Sequence, residues 1–379
     1  MSDRTMIGAY GQWAASLADD PGTLSLLNSR YDNTDEWRKK ARERVGALLS
    51  PPEISDRLEP TVEAQYNHDG LYVEELSWEL PYGPPTKAVF LKPSKAESPL
   101  PGVLGLHDHG GVKYFGRRKI VETPRLNNPL MTNHRRDSYG GRPWANALAK
   151  RGYAVLVHDA FTFASRRVRL RDVPASIREK TTEPSDDDPD TIKAYDKWAA
   201  AHESTMAKSL FSAGTTWPGV TLVEDQCALD VLCARTDVDA SAIGCGGLSG
   251  GGLRTVYLAG LDNRIDSAVC AGMMTTWRDF QLHKSQSHTW MCYLPLCAND
   301  LDYSEILGLR VPAPTLVLNN REDPLFTVEE MRRADDILER VYEIAGANDR
   351  YKCSFYKGTH KFDCEMQVEA FDWFDKTLK

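Results

Sequence analysis

The chain has 379 residues and a formal net charge of -8, with a sequence pI near 5.7. That balance excludes a nucleic-acid binder that works through a basic surface. No apolar run reaches the roughly 18 residues that a membrane span needs. The content of 41% hydrophobic and 26% charged residues is that of an ordinary soluble globular protein with enough apolar side chains for a sizeable core. The first residues, Met1-Ser-Asp-Arg-Thr-Met-Ile-Gly-Ala-Tyr10, have neither an apolar stretch nor a cleavage pattern, so a cytoplasmic location is expected. The eight cysteines form no C-x-x-C pair. Cys227, Cys233, Cys245 and Cys270 lie in apolar segments and read as buried reduced thiols, which suits that compartment.

In chain order, residues 1–60 read as helical. Thr34-Asp35 can start a helix, Trp37, Ala41, Val45, Leu48 and Leu49 recur at helical spacing, and Pro51-Pro52 stops it. From about residue 71 the period changes. Leu71–Trp78 and Thr86–Lys92 read as two strands of a hairpin joined through Pro81–Pro85. Gly102–Leu106 is a short buried strand followed by His107-Asp108-His109-Gly110-Gly111. Ala145–Arg151 reads as a helix and Gly152–Val157 as the next buried strand. A helix over Val223–Ala234 leads to the strand Ala242–Cys245, then a helix over Gly250–Leu258. Strands follow at Ile265–Cys270, Thr315–Leu318 and Lys352–Phe355. Met331, Ala334, Ile337, Leu338, Val341 and Ile344 form a helix between the last two, and Val368, Phe371, Phe374 and Leu378 a final one. Strands that alternate with helices imply right-handed crossovers and a mostly parallel sheet, hence the α/β class.

Two segments break the alternation. Residues 111–143 read as a loop with the basic cluster His134-Arg135-Arg136, and residues 161–217 as a long insertion. The acidic run Asp186-Asp187-Asp188-Pro189-Asp190 in that insertion reads as a solvated loop rather than a metal site. Long insertions after strands on the ligand side of a sheet often build a lid or a pocket wall. The expected division is an N-terminal helical extension over residues 1–69, packed on a main domain over 70–379 that carries the insertion 161–217.

The chemistry centres on Gly247-x-Ser249-x-Gly251. In this pattern a serine stands on a sharp strand-to-helix turn with its hydroxyl exposed. The preceding apolar strand and the following helix supply that context. A serine hydroxyl is a weak nucleophile and needs a base, and the base needs an acid that holds its tautomer. Asp323 follows a later buried strand, and His360 follows the one after it, in the order serine, acid, histidine. Both fall at the C-terminal edge of the sheet with the serine. Glu322 is the competing acid, with Asp323 preferred because Pro324 fixes a turn there. An oxyanion site needs two backbone N–H donors. Gly250, after the serine, is one. The loop after the Gly102–Leu106 strand supplies the other, His109 N–H, with Gly110 as alternate. His107 is expected to brace that loop. His107-x-His109 lacks a third ligand, so no metal is expected. Trp144, Phe161, Trp217, Trp277, His288 and Trp290 are aromatic or imidazole groups in reach of such a pocket, and His288, Trp217 and Trp290 are the candidate substrate contacts.

With these elements in place, residues 70–379 resemble the α/β-hydrolase superfamily, and within it the dienelactone-hydrolase and acetyl-xylan-esterase-like branch. The resemblance rests on Gly105–Gly111, Arg151–Asp159, Gly247–Gly251, Leu261–Ile265, Glu322–Phe326 and Gly358–His360, together with Asp35-Glu36-Trp37-Arg38 in the N-terminal helix. Dienelactone hydrolases proper use a cysteine nucleophile, where this chain has Ser249. The resemblance implies a central sheet with helices on both faces and loops inserted over the active site. It implies a serine esterase for short acyl or acetyl esters, sugar esters among them. No cofactor is called for. The partner is a small-molecule ester, not nucleic acid or membrane, and a second copy of the chain is left open.

Overall fold

Among the described residues, every run read from the sequence as a strand enters one sheet of nine strands. The structure, a computed structural model, describes residues 4–28, 31, 33–54 and 58–379. The strands are β1 (Thr61–His68), β2 (Leu71–Trp78), β3 (Thr86–Pro93), β4 (Leu100–Leu106), β5 (Ala154–His158), β6 (Val238–Leu248), β7 (Ser267–Ala271), β8 (Thr315–Asn320) and β9 (Tyr351–Tyr356). They are arranged in the order β1-β2-β3-β5-β4-β6-β7-β8-β9. β1 to β3 form an antiparallel meander, and β3 joins β5 antiparallel. The pairs from β5 through β4 to β9 are all parallel. Parallel strands put their C-terminal ends on one edge, so the segments that follow β4, β6, β8 and β9 converge.

Successive side chains on a strand face opposite ways, and the two cores follow that rule. Leu104, Leu156, Cys245, Cys270 and Val317 enter the core on one face. Val103, Val155, Val157, Val269, Leu316 and Leu318 enter the core on the other. The first face is covered by the helices Thr34–Leu49, Trp217–Cys233, Gly250–Leu261, Tyr303–Gly308 and Val328–Ile344. The second is covered by Trp144–Lys150 and Cys364–Leu378. The N-terminal helix starts at Thr34 as read, behind Asn33, whose side chain accepts from Glu36 N. It buries Trp37, Ala41, Val45 and Leu49 completely. Arg42 fastens it to the main body by donating to the carbonyls of Gly260 and Leu309, both at 2.9 Å.

The structure departs from the sequence reading in four places. β1 lies within the stretch expected to be an all-helical extension. It is an edge strand with no buried residue; Val62, Ala64 and Tyr66 alternate with Glu63, Gln65 and Asn67, a period-2 pattern that the helical reading passed over. Residues 111–143 contain the helix Pro129–Tyr139, whose buried stripe is Met131, Arg135 and Tyr139. A charged residue in the stripe hides the period. The insertion 161–217 contains the helix Pro189–Ser212. The acidic run is in part its cap: Asp188 accepts from the N–H groups of Asp190 and Thr191, and Pro189 takes the first helical position. The helix expected from Val223 begins instead at Trp217, capped by Thr216. Among the described residues no helix is long and apolar enough to cross a membrane.

Candidate active site

β6 ends at Leu248 and the helix Gly250–Leu261 begins two residues later. Ser249 between them has φ 57° and ψ -117°, a conformation that costs a non-glycine residue energy and persists only where its surroundings enforce it. Two hydrogen bonds enforce it. Ser249 N donates to Ala271 O at 2.9 Å, and Ser249 O accepts from Leu253 N at 2.8 Å. The flanking glycines are sterically required. A Cβ on Gly247 or on Gly251 would lie 2.1 Å from Leu106 O in β4. Gly251→Ala is therefore expected to lower the unfolding free energy by about 3 kcal/mol. Gly46→Ala, where a Cβ meets nothing within 4 Å, should raise it by about 0.5–1 kcal/mol. Urea denaturation of the two variants reads both signs.

Asp323 and His360 meet as the spacing predicts. His360 Nδ1 lies 2.6 Å from Asp323 Oδ2. The other carboxylate oxygen accepts from Leu325 N at 2.9 Å, so the acid is held from both sides. Glu322 does a different job. It is exposed, its carboxylate accepts from Gly358 N, and its N–H donates to Gly358 O at 3.1 Å. It thus pins the turn that leads to the histidine. The His360 ring stands against β7: a Cβ on Gly272 would lie 3.1 Å from its Cε1. Gly272 directly follows Ala271, which holds Ser249 N, so ring and elbow are neighbours. His360 Nε2 is buried and has no hydrogen-bond partner among the described residues. It is not bonded to the Ser249 hydroxyl here. Such bonds are often long in the free enzyme and tighten with substrate.

The loop after β4 reaches the elbow. A Cβ on Gly250 would lie 2.7 Å from His109 N, so the two N–H groups named as oxyanion donors are adjacent. Neither donates to another group among the described residues. The loop carbonyls are pinned on the far side. Lys119 Nζ donates to Asp108 O at 2.7 Å and to His109 O at 2.8 Å, and His107 Nδ1 lies 3.0 Å from Asp108 O. His107 Nε2 accepts from Ala160 N at 3.2 Å, which commits both ring nitrogens and makes this residue the expected brace. Lys119 is fully buried, and burial pulls its ammonium down to about 8, with the Asp108 carboxylate opposing. The Asp108 side chain takes the Tyr139 hydroxyl at 2.5 Å and lies within reach of His134 Nε2 at 3.2 Å.

The three candidate substrate contacts fare differently. Trp217 is fully buried and packs under Lys113, whose Nζ is 4.4 Å from the ring. It belongs to the core because its helix starts there and turns it inward. Trp144 is equally buried, on the opposite face of the sheet, and Trp277 donates to Leu301 O at 3.1 Å. His288 sits between the rings of Phe280 and Phe326, and its Nε2 lies 2.8 Å from Leu325 O. Burial pushes its imidazole down to about 4, against the Leu325 carbonyl, which acts the other way. The ring is thus a neutral donor to the acid-bearing loop. Trp290 stays 39% exposed. Lys113, Lys119 and Glu203 escaped the sequence reading. All three are buried charges with partners, and only a partner distant in sequence distinguishes such a residue from a solvated one. A cleft of about 720 Å³ opens at the opposite edge, where the strands begin, between Arg42, Ser241, Asp266, Arg310 and Lys376. It holds none of the predicted site residues.

A mostly parallel sheet with helices on both faces, a strained serine on a strand-to-helix turn, and an acid and histidine after the last two strands define the α/β-hydrolase fold, and this chain has it. Among curated proteins it is similar to one from Bacillus subtilis (strain 168) described as putative hydrolase YtaP, at 28% identity over 295 residues, 77% of this chain and 83% of that one. Among solved structures it is similar to a putative acetyl xylan esterase from Bacteroides fragilis NCTC 9343, with a TM-score of 0.68 and 15% identity over 94% of this chain and 84% of the other. The glucuronoyl esterase from Solibacter usitatus superposes with a TM-score of 0.62 and 15% identity, over 94% of this chain and 97% of that chain. No protein-family model matches the chain.

Proposed function

We propose that this protein is a serine hydrolase that cleaves carboxylic esters of small molecules, short acyl or acetyl esters of sugars among them, through an acyl-enzyme. The observation that carries the reading is the strained Ser249 beside a His360 ring whose Nδ1 is held by Asp323 at 2.6 Å and whose buried Nε2 is unpartnered. In the proposed reaction the Ser249 hydroxyl attacks the ester carbonyl and His360 Nε2 takes its proton. Asp323 holds the tautomer and stabilises the imidazolium. The N–H groups of Gly250 and His109 receive the negative charge that develops on the carbonyl oxygen. The tetrahedral intermediate collapses, and His360 returns the proton to the departing alcohol. Water then repeats the sequence on the acyl-enzyme and frees the acid. The esterase descriptions of the two structural neighbours agree with this chemistry.

Turnover of p-nitrophenyl acetate tests it. Wild type should hydrolyse the ester and form a covalent fluorophosphonate adduct that maps to Ser249. Ser249→Ala is expected to lose kcat by about 10⁶-fold. Full turnover in that variant would overturn the assignment.

A further inference from the structure

We infer that Glu203, on the inserted helix Pro189–Ser212, is a positioning residue for the oxyanion loop. The inference rests on the reading of His109 N–H as an oxyanion donor. Glu203 is 5% exposed, and four donors converge on its carboxylate. Its Oε1 lies 2.7 Å from His109 Nε2 and 2.7 Å from Lys113 Nζ. Its Oε2 accepts from Thr289 Oγ1 at 2.7 Å and from Trp290 N at 3.1 Å. The inserted helix, the loop after β4 and the segment after β7 are thus tied at one carboxylate.

The His109 ring is committed at both nitrogens. Gly111 N donates to His109 Nδ1 at 3.0 Å, which leaves the ring proton on Nε2 to be donated to Glu203. Burial lowers the imidazole of His109, in keeping with a neutral ring. Burial alone would raise the Glu203 carboxyl, but the hydrogen bond from His109 and the charge of Lys113 outweigh it and hold the acid well below the usual carboxylate range. Glu203 is therefore an acceptor across the pH range in which a histidine base works.

The consequence is mechanical. Lys119 holds the loop by its carbonyls, and Glu203 holds it by the side chain of the residue whose N–H faces Gly250. With only the first restraint, the turn His109–Gly111 keeps two glycines at positive φ, 55° at Gly110 and 68° at Gly111, and glycine is the residue least able to hold a conformation by itself. The second restraint removes that freedom, and it comes from the insertion rather than from the sheet. A donor aimed in advance is worth more than one that must be ordered during the reaction.

The test uses the full chain carrying Glu203→Met, which keeps the length of the stem and removes both carboxylate acceptors. The kcat for p-nitrophenyl acetate and the rate of fluorophosphonate labelling should both fall, by about 10- to 100-fold, short of or equal to the loss from removing an oxyanion donor outright. KM should change much less, since the ground-state carbonyl gains little from the donor. His109→Phe keeps the backbone N–H but cannot reach Glu203, and should show the same pair of losses. The double variant should be no worse than either single one, because both remove one shared contact. Wild-type labelling rates in His109→Phe, or additive losses in the double variant, would overturn the inference and leave Glu203 as the counter-charge of Lys113. His109→Phe decides the matter even if Glu203→Met does not fold. Absence of fluorophosphonate labelling in wild type is a separate outcome that strikes the nucleophile assignment instead.

Discussion

Asp323→Asn is expected to lower kcat for p-nitrophenyl acetate by about 10⁴-fold, with Glu322→Gln staying within about tenfold of wild type. The two carboxylates are adjacent in sequence, and their surroundings separate them. Asp323 lies 2.6 Å from His360 Nδ1 and is fixed by Leu325 N. An asparagine there can present its amide N–H to the ring. That would place the imidazole proton on Nε2, the atom that accepts one from Ser249 in the proposed reaction. Glu322 faces the other way and bonds Gly358, so its loss loosens the turn before the histidine without changing the tautomer. Comparable losses in both variants would mean that the acid role is not Asp323's alone. Circular dichroism of both variants separates a chemical loss from a folding defect.

Lys119→Met is expected to lower kcat by about 10²-fold and the unfolding free energy by about 3 kcal/mol. The catalytic part of this prediction follows from one peptide plane. The Asp108 carbonyl and the His109 N–H belong to the same trans peptide unit and point in opposite directions. Lys119 Nζ holds that carbonyl at 2.7 Å, so it also sets where the N–H points. Methionine keeps the length of the stem and removes every donor. The stability part follows from burial: Lys119 lies 3.7 Å from the Asp108 carboxylate with both side chains almost wholly out of solvent. Removing the cation leaves a buried carboxylate short of charge compensation. Arg136→Met is the control, since Arg136 pairs with Asp137 with both side chains mostly exposed and such pairs contribute about 1 kcal/mol or less. Urea denaturation gives the stability, and kcat measured on the folded fraction gives the rest. An unchanged kcat in Lys119→Met would show that the peptide keeps its direction without the lysine.

The proposed catalytic residues were legible because each sits where a local rule and a topological rule coincide. Gly247, Ser249 and Gly251 carry a turn that only small flanking residues permit, and the structure shows the reason in the 2.1 Å approach to Leu106 O. Asp323 and His360 follow buried strands of a parallel sheet, and parallel strands share an edge. The groups that hold the loop bearing the proposed oxyanion donor were not legible. Lys119 stands in the run Arg117-Arg118-Lys119, where Lys119 is buried against two carbonyls and Arg118 reaches an exposed aspartate. Nothing in the run tells them apart. Trp217 and His288 looked like pocket residues because aromatic and imidazole groups line pockets and cores alike.

The sequence by itself determined the class of fold, the strand-to-helix turn at Ser249, and the chain order of the proposed serine, acid and histidine. These depend on periodicity and on residues whose backbone demands are local. Only the tertiary structure decided that Asp323 rather than Glu322 meets the histidine, that β1 extends the sheet, and that the insertion folds as a helix carrying Glu203 to His109. Each of those outcomes rests on contacts between segments far apart in the chain, and the free energy of a buried charge depends on partners that no local pattern records.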